Sequence, residues 1–191
     1  MNELWIVRHG ETEWSAGGRH TSRTEVALTK VGRAQAAALA AVLATHPFGL
    51  VLTSPRVRAR ETAAAAGFAD AVVDDDLQEW DYGELEGVTT TEIRGRGGEF
   101  ASWSIWDGPV PGGETIEQVA VRARRVSERA AAAPGDVLCF GHAHCSRVLA
   151  AVALGFDPDA GSRFVLDPAT ISVVGSEHER RALRVWNARP G

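Results

Sequence analysis

The sequence predicts an α/β fold, a three-layer sandwich around a mostly parallel central sheet with a small cap insertion. Short apolar runs typical of buried strands alternate along the chain with longer segments rich in Ala and Leu, which favour helix. The 191 residues suffice for one sizeable domain, and no internal repeat or low-complexity linker divides them. We therefore expect a single domain over 1–191.

The N-terminal half carries two predicted strands, each followed by a helix. Residues 4–7 form a continuous apolar run, which favours a central strand covered on both faces. Residues 28–44 favour a helix, and Thr29 is a suitable N-cap for it. The second strand is expected at 50–52, and Pro55 is expected to open the next helix at its first position.

The C-terminal half continues this alternation and then ends in strands. Thr115 opens a capping box, so a helix is expected to begin there. An apolar strand is predicted at 137–140, and a helix is expected to follow over about 146–154. A polar turn is expected to join the last two strands, which are predicted at 172–174 and 183–186.

The segment 80–113 differs from the rest because its periodicity is weak and it combines aromatic residues with many glycines and acids. Long structured loops of this kind often carry function, so we interpret it as an irregular excursion that caps one face of the domain. A poorly ordered surface loop is the alternative, which the aromatic content disfavours. The sequence leaves open whether Trp80 and Tyr82 lie in the core or in a pocket wall.

The overall charge argues against a nucleic-acid-binding surface. The formal net charge is -5 and the pI is near 5.7, whereas a broad nucleic-acid footprint needs a basic surface. The apolar run at 4–7 is too short for a membrane span or a secretory signal, and two cysteines do not suggest a disulfide framework. We expect a cytoplasmic protein that binds neither nucleic acid nor membrane, and the sequence leaves its oligomeric state open.

Three predicted strands end in, or lead to, basic groups. The first strand ends at Arg8 and His9, the second leads to Arg58, and the third ends at His142. Because parallel strands bring their carboxyl ends to one edge of a sheet, these side chains are expected to converge there. Arginine forks match phosphate oxygens, and the next helix adds backbone N–H groups such as that of Ala143. The convergence predicts a site for a phosphoryl group.

The same site contains the groups that phosphoryl transfer requires. A neutral imidazole is a competent nucleophile when a hydrogen bond holds its second nitrogen, and Gly10 is expected to let the backbone pass close to the ligand. The leaving oxygen needs a proton from a nearby carboxylic acid. The candidate acids follow the first and second strands and are Glu11, Glu79, Asp81, Glu84 and Glu86.

The segment 4–12, LWIVRHGET, resembles the signature of the histidine phosphatase superfamily, also called phosphoglycerate-mutase-like. Nearly the whole chain shares the resemblance, because further blocks follow in the family's order at 28–36, 54–63, 77–87, 112–115 and 141–143. The resemblance implies that His9 is the nucleophile and that Glu79 is the general acid and later the general base. It implies a phosphate-binding set of Arg8, Arg58 and His142.

Several positions depart from the pattern or carry less certain contacts. Ser15 stands where many relatives have asparagine, Thr21 falls where relatives place a small or hydroxyl residue near the substrate, and His20 beside it is unusual. The substrate-binding residues that we expect are Arg8, Arg58, His142, Ala143, Thr21, Ser15 and Tyr82.

The sequence thus predicts a phosphatase that hydrolyses phosphomonoesters of small metabolites, in a branch that resembles acid phosphatases and sugar bisphosphatases. A cofactor-dependent phosphoglycerate mutase and a phosphoprotein-directed phosphatase or binding protein remain alternatives. His142 and His144 could also be read as metal ligands, but an arginine-rich site repels a cation. We expect no metal and no organic cofactor.

Overall fold

The computed structural model describes residues 1–190, which form a six-stranded sheet between two layers of helices. The strands are β1 (Leu4–Arg8), β2 (Leu50–Thr53), β3 (Val72–Val73), β4 (Val137–Gly141), β5 (Ile171–Glu177) and β6 (Arg180–Ala188), in the order β3-β2-β4-β1-β5-β6. The first four strands run parallel, whereas β5 is antiparallel to both β1 and β6. The mostly parallel sheet that the sequence predicts is confirmed.

The helices connect the strands and cover both faces of the sheet. The α-helices are α1 (Glu13–Ala16), α2 (Lys30–Leu43), α3 (Val57–Ala65), α4 (Thr90–Gly95), α5 (Ile116–Ala132) and α6 (Ala143–Ala153). Short 3-10 helices lie at Asp75–Leu77, Gly83–Leu85, Gly98–Phe100 and Pro158–Arg163. Thr29 caps α2 and Thr115 caps α5, as their sequences predict.

Two hydrophobic cores lie on opposite faces of the sheet. In β1, Ile6 belongs to the core beneath α5 and α6, whereas its neighbour Val7 belongs to the core beneath α2 and α3. In β4, Cys139 and Phe140 divide in the same way. Successive side chains of a strand point to opposite faces, so a strand that is apolar throughout must be covered on both. The three-layer architecture follows from this pattern.

The structure corrects two expected helix starts. Ser54 still donates its N–H to the Phe140 carbonyl at 2.9 Å, so the chain stays extended there and Pro55 lies in the turn before α3 rather than at its first position. The helix expected over about 146–154 begins at Ala143, and the N–H groups of His144 and Cys145 in its first turn are satisfied by the carboxylate of Glu79. Sequence propensity alone does not reveal such a distant cap.

The excursion over 80–113 is packed onto the domain. It contains α4 and two of the 3-10 helices, and Trp80 and Trp103 are buried in the core beneath α5 and α6. Tyr82 is buried too, with 2% of its surface exposed, and its hydroxyl reaches a pocket wall. Within residues 1–190, no helix combines the length and the hydropathy that crossing a bilayer demands.

Candidate active site

A pocket of about 320 Å³ opens at the carboxyl edge of β1 and β4. The lining residues come from the β1 end, the loop around residue 20, the start of the excursion, the first turns of α6 and the segment before β5. The lining residues that the sequence singled out are Arg8, His9, Ser15, His20, Thr21, Glu79, Tyr82, Ala143 and His144. Ligands of open α/β sheets bind at this edge.

His9 lines this pocket, and its hydrogen bond determines which ring nitrogen carries the proton. Its main chain continues the pairing of β1, since its N–H donates to the Gly141 carbonyl at 3.0 Å. Its Nδ1 lies 2.7 Å from the Gly10 carbonyl, which can only accept, so Nδ1 carries the proton and the Nε2 lone pair is free. Burial, and then the charges of Arg58 and Arg8, lower the pKa of His9 well below 6.5. A neutral ring with a free Nε2 is the form that can attack phosphorus.

Gly10 packs tightly against the start of α2. A Cβ at Gly10 would lie 2.4 Å from the Gly32 carbonyl oxygen, and a Cβ at Gly32 would lie 2.0 Å from the Glu11 carbonyl oxygen. The loop after β1 therefore packs backbone against backbone on the first turn of α2. The two glycines position the loop that carries His9 through this contact. The expected close approach of Gly10 to a ligand stays a prediction.

Arg58 and His142 lie behind His9 as a fully buried pair. The Arg58 Nε–H donates to His142 Nδ1 at 3.2 Å, which leaves the His142 proton on Nε2, where it is donated to Ser54 Oγ at 2.7 Å. The rings of His9 and His142 are 5.2 Å apart between centroids. Both nitrogens of His142 are therefore engaged, one by Arg58 and the other by Ser54.

The guanidinium of Arg58 also holds the loop that follows α1. It donates to the carbonyls of Thr21, Ser22 and Thr24 at 3.0–3.1 Å. With the bond to His142, these contacts occupy four of its five N–H groups and leave one on Nη1. Glu86 fixes the same loop from the other side, because its carboxylate accepts from the N–H groups of Ser22 and Thr24.

Arg8 contributes charge from the end of β1. Its Nη1 donates to the Leu166 carbonyl at 2.5 Å, and its Nε has no acceptor within residues 1–190. Burial lowers its pKa, and the negative charge of Glu79 opposes that shift. A buried donor without a partner is costly, so the site gains when an anion supplies oxygens to it.

Glu79 is the candidate acid that lines the same pocket as His9. Its side chain is buried, with 5% of the residue exposed, and it lines the pocket. Oε1 accepts from the N–H groups of Trp80 and Cys145 at 2.9 and 2.7 Å, whereas Oε2 accepts only from His144 N–H at 3.1 Å. Oε2 is therefore the oxygen with capacity left for a proton.

The other candidate acids lie outside the pocket lining. Glu11 accepts from Thr29 Oγ1 at 2.8 Å and thereby braces the loop after β1. Asp81 forms an ion pair with Arg23, and Glu84 is exposed to solvent.

The less certain substrate-binding residues occupy the pocket wall. The Ser15 hydroxyl is engaged with Thr12 in the capping box of α1, and the Thr21 hydroxyl donates to the Arg19 carbonyl. Ala143 lies at the first position of α6, and its N–H has no acceptor among the described residues. The Tyr82 hydroxyl is 2.7 Å from His144 Nδ1. Their contacts with substrate stay predictions.

Six residues of the pocket lining were not predicted from the sequence: Gly18, Val165, Leu166, Arg19, Asp167 and Arg147. Arg147 lies one turn into α6. Only the last had a usable signal, because Ala143 and Arg147 are four residues apart and so share one face of a helix. Arg56 and Arg60, which lie two residues before and after Arg58 in the sequence, do not line the pocket.

A family model described as the histidine phosphatase superfamily, branch 1, matches residues 4–189. An acid phosphatase of Mycobacterium tuberculosis is 39% identical over 188 residues, covering 96% of this chain and 91% of that protein. A sedoheptulose 1,7-bisphosphatase of Saccharomyces cerevisiae is 34% identical over 180 residues, covering 78% of this chain and 66% of the yeast protein. The solved structure of an open-reading-frame product of Mycobacterium tuberculosis superposes with a TM-score of 0.93 at 38% identity, covering 100% of this chain and 99% of the other.

Proposed function

This chain belongs to the histidine phosphatase superfamily, and we propose that it is a phosphatase that hydrolyses phosphomonoesters of small metabolites through a phosphohistidine on His9. The observation that carries the proposal is the state of the His9 ring. Its Nδ1–H is bonded to the Gly10 carbonyl, its Nε2 lone pair is free, and it faces a pocket that contains Arg8 and Glu79.

In the first step, Nε2 of His9 attacks the phosphorus and the bond from phosphorus to the ester oxygen breaks. The leaving oxygen takes a proton from Oε2 of Glu79, so an alcohol departs rather than an alkoxide. The Gly10 carbonyl stabilises the positive charge that the imidazole ring gains when Nε2 forms its bond to phosphorus.

Charge that develops on the phosphoryl oxygens is met by Arg8, by the free Nη1–H of Arg58 and by the Ala143 N–H. These donors are fixed before substrate arrives, so little reorganisation is needed during the reaction. We propose that His142 acts mainly by holding the Arg58 fork. A direct contact from His142 to phosphate would first have to break its bond to Ser54.

In the second step, the Glu79 carboxylate takes a proton from water as the water oxygen attacks phosphorus and the bond from Nε2 to phosphorus breaks. Inorganic phosphate leaves, the ring of His9 is neutral again, and Glu79 is protonated for the next turnover. Each proton and charge is handled by a residue of this chain, so these steps call for no metal or organic cofactor.

The size of the pocket supports a small substrate. About 320 Å³ is near the lower end of ligand-site volumes and suits a compact metabolite. The yeast relative is named for a sugar bisphosphate. We propose a sugar phosphate or a phosphoglycerate-type compound as the substrate.

A substrate panel tests the proposed function. It contains p-nitrophenyl phosphate, 3-phosphoglycerate, fructose and sedoheptulose bisphosphates and phosphoserine, with free phosphate and isomerised product both followed. We expect the wild type to release phosphate and His9→Asn to release none above background. His178→Asn, which removes an exposed histidine in the turn between β5 and β6, is the matched control.

Other outcomes of the panel point away from the proposal. Isomerised product with little free phosphate would favour a mutase. Phosphate release that survives in His9→Asn would contradict the mechanism.

A further inference from the structure

We propose that Arg147 and His144 form a subsite for a second anionic group of the substrate, a carboxylate or a second phosphate, separate from the phosphoryl group that is transferred. The subsite rests on the proposed phosphatase function, because it defines which phosphomonoesters the same pocket selects.

The guanidinium of Arg147 is held in place before any ligand binds. Its Nε donates to the Gly161 carbonyl and its Nη2 to the Ser162 carbonyl, both at 2.9 Å. Its Cζ lies 4.7 Å from the ring centroid of Trp106, a cation–π contact that fixes the plane of the fork. Both N–H groups of Nη1 and one of Nη2 remain for a ligand.

The charge of Arg147 has no carboxylate partner within residues 1–190 at ion-pair distance. Burial lowers its pKa, which reflects the cost of removing this cation from water. The negative charge of Glu79 opposes this shift from beyond ion-pair distance, so the guanidinium has no direct carboxylate partner, and an anionic group of a ligand supplies one. Arginine is suited to this because its fork matches both carboxylate and phosphate oxygens.

His144 supplies a neutral donor beside this cation. The buried phenol of Tyr82 needs an acceptor, and His144 Nδ1, at 2.7 Å, is its only hydrogen-bond partner among the described residues. The phenol therefore donates to Nδ1, and Nε2 carries the proton of the ring. Burial and the charge of Arg147 lower the pKa of His144 well below 6.5, so it serves as a hydrogen-bond donor rather than as a second cation.

The position along α6 separates this subsite from the reacting phosphorus. Ala143 offers its N–H at the start of the helix, and Arg147 lies four residues later on the same face, about 6 Å along the axis. His144 is three residues before Arg147 and is its neighbour on the helix surface. This spacing suits two anionic groups at the two ends of one small molecule.

The carboxylate of Asp167 does not cancel this attraction. Asp167 lines the pocket, but its carboxylate accepts from Asn187 Nδ2 at 3.3 Å and lies 3.7 Å from Arg189 Nη2. Arg19 also lies on the rim and adds positive charge. The outer pocket therefore favours an anion.

Matched substrate pairs test the subsite. 3-Phosphoglycerate and glycerol 3-phosphate differ in a carboxylate, whereas fructose 1,6-bisphosphate and fructose 6-phosphate differ in a second phosphate. We expect the wild type to prefer the member with the second anion in at least one pair, and the pair that shows the preference identifies the anion. In Arg147→Gln this ratio of kcat/KM should fall about tenfold, mainly through KM, since one charge-assisted contact is lost.

Arg147→Lys should keep part of the preference, because it retains the charge but loses the fork. Arg124→Gln, which removes an exposed arginine on α5, controls for net charge and should leave the ratio unchanged. Equal losses on both members of a pair would overturn the proposal, because Arg147 would then only hold Trp106 against the 158–163 turn. A wild type without preference in either pair would overturn it as well, while phosphate release that depends on His9 would leave the proposed phosphatase function standing.

Discussion

The inner and outer halves of the pocket are built by different means. The inner half consists of Arg8, His9 and Glu79 in the pocket lining, with Arg58 and His142 behind them. Apart from His142, these side chains are anchored mainly by main-chain groups, such as the Gly10 carbonyl and the N–H groups of His144 and Cys145. The outer half consists of His20, Tyr82, His144 and Arg147 in the pocket lining, with Trp106 packed behind them. These residues contact one another through their rings, the Tyr82 hydroxyl and the Arg147 guanidinium, which two main-chain carbonyls also hold. We propose that the inner half carries the reaction and that the outer half selects the substrate.

Substitutions in the inner half are expected to lower activity on every substrate by a similar factor. Glu79→Gln should lower kcat by about 100- to 10,000-fold, because the amide can neither give up nor accept the proton at Oε2. Steady-state rates on 3-phosphoglycerate and on glycerol 3-phosphate measure this effect, because each releases an alcohol whose oxygen needs the proton. Glu84→Gln, an exposed neighbour in the same segment, is the control, and a loss confined to one substrate would show that Glu79 selects substrate instead.

Arg58→Lys should lower kcat/KM by about 100-fold on all substrates, because a lysine cannot donate in Arg58's fork geometry. The buried carbonyls of Thr21 and Ser22 would lose their donors too, so the free energy of unfolding should fall by about 2 kcal/mol. Activity assays and urea denaturation measure the two effects. Arg60→Lys, an exposed substitution on the same helix, should change neither quantity.

A change in the outer half should have a smaller effect that depends on the substrate. Tyr82→Phe removes the hydroxyl that orients His144, and we expect kcat/KM to fall by about tenfold or less, with unequal losses across the substrate panel. Equal losses of about 100-fold or more on every substrate would contradict the division of the pocket, because Tyr82 would then belong with the inner residues.

The smallest expected effect on activity is that of lowering the pH to mildly acidic values. A free imidazole would be half protonated at pH 6.5. Burial, and then the charges of Arg58 and Arg8, hold the pKa of His9 well below that value. His9, the proposed nucleophile, therefore stays neutral as the pH falls through 6.5, and kcat/KM should stay level there once the ionisation of the substrate is allowed for. A loss of half the activity at pH 6.5 would show that His9 titrates as an ordinary histidine.

The lowered pKa values of four histidines also affect the stability of the fold. The lowered pKa values of His9, His142 and His144 and the pKa of about 4 for His20 mean that the unfolded chain binds more protons below pH 6.5 than the folded chain does. The free energy of unfolding is therefore expected to fall as the pH decreases from 6.5.

The inner half was predictable from the sequence because each of its basic residues follows a recognisable strand. Arg8, His9 and His142 stand where apolar runs stop, and the parallel order of the strands brings those ends together. The contact between Gly10 and Gly32 was not predictable, because its partner lies on α2 and no local pattern indicates which backbone approaches which.

The outer half was harder to predict because its contacts join distant segments. The sequence around Arg147 predicts only a helix residue. The position of its side chain in the pocket depends on the carbonyls of Gly161 and Ser162 and on Trp106 from the excursion. Helical periodicity predicts the shared face of Ala143 and Arg147 but not what covers that face.

The most direct test of the account is to trap the covalent intermediate. The enzyme is mixed with p-nitrophenyl phosphate, whose phenolate leaves without a proton from Glu79. It is then denatured under alkaline conditions, which preserve phosphohistidine, and the peptides are examined by mass spectrometry. We expect one added phosphoryl group on the peptide that contains His9, with more of it in Glu79→Gln and none in His9→Asn. Phosphate release without any phosphoryl group on His9, or with the group on another residue, would contradict the account.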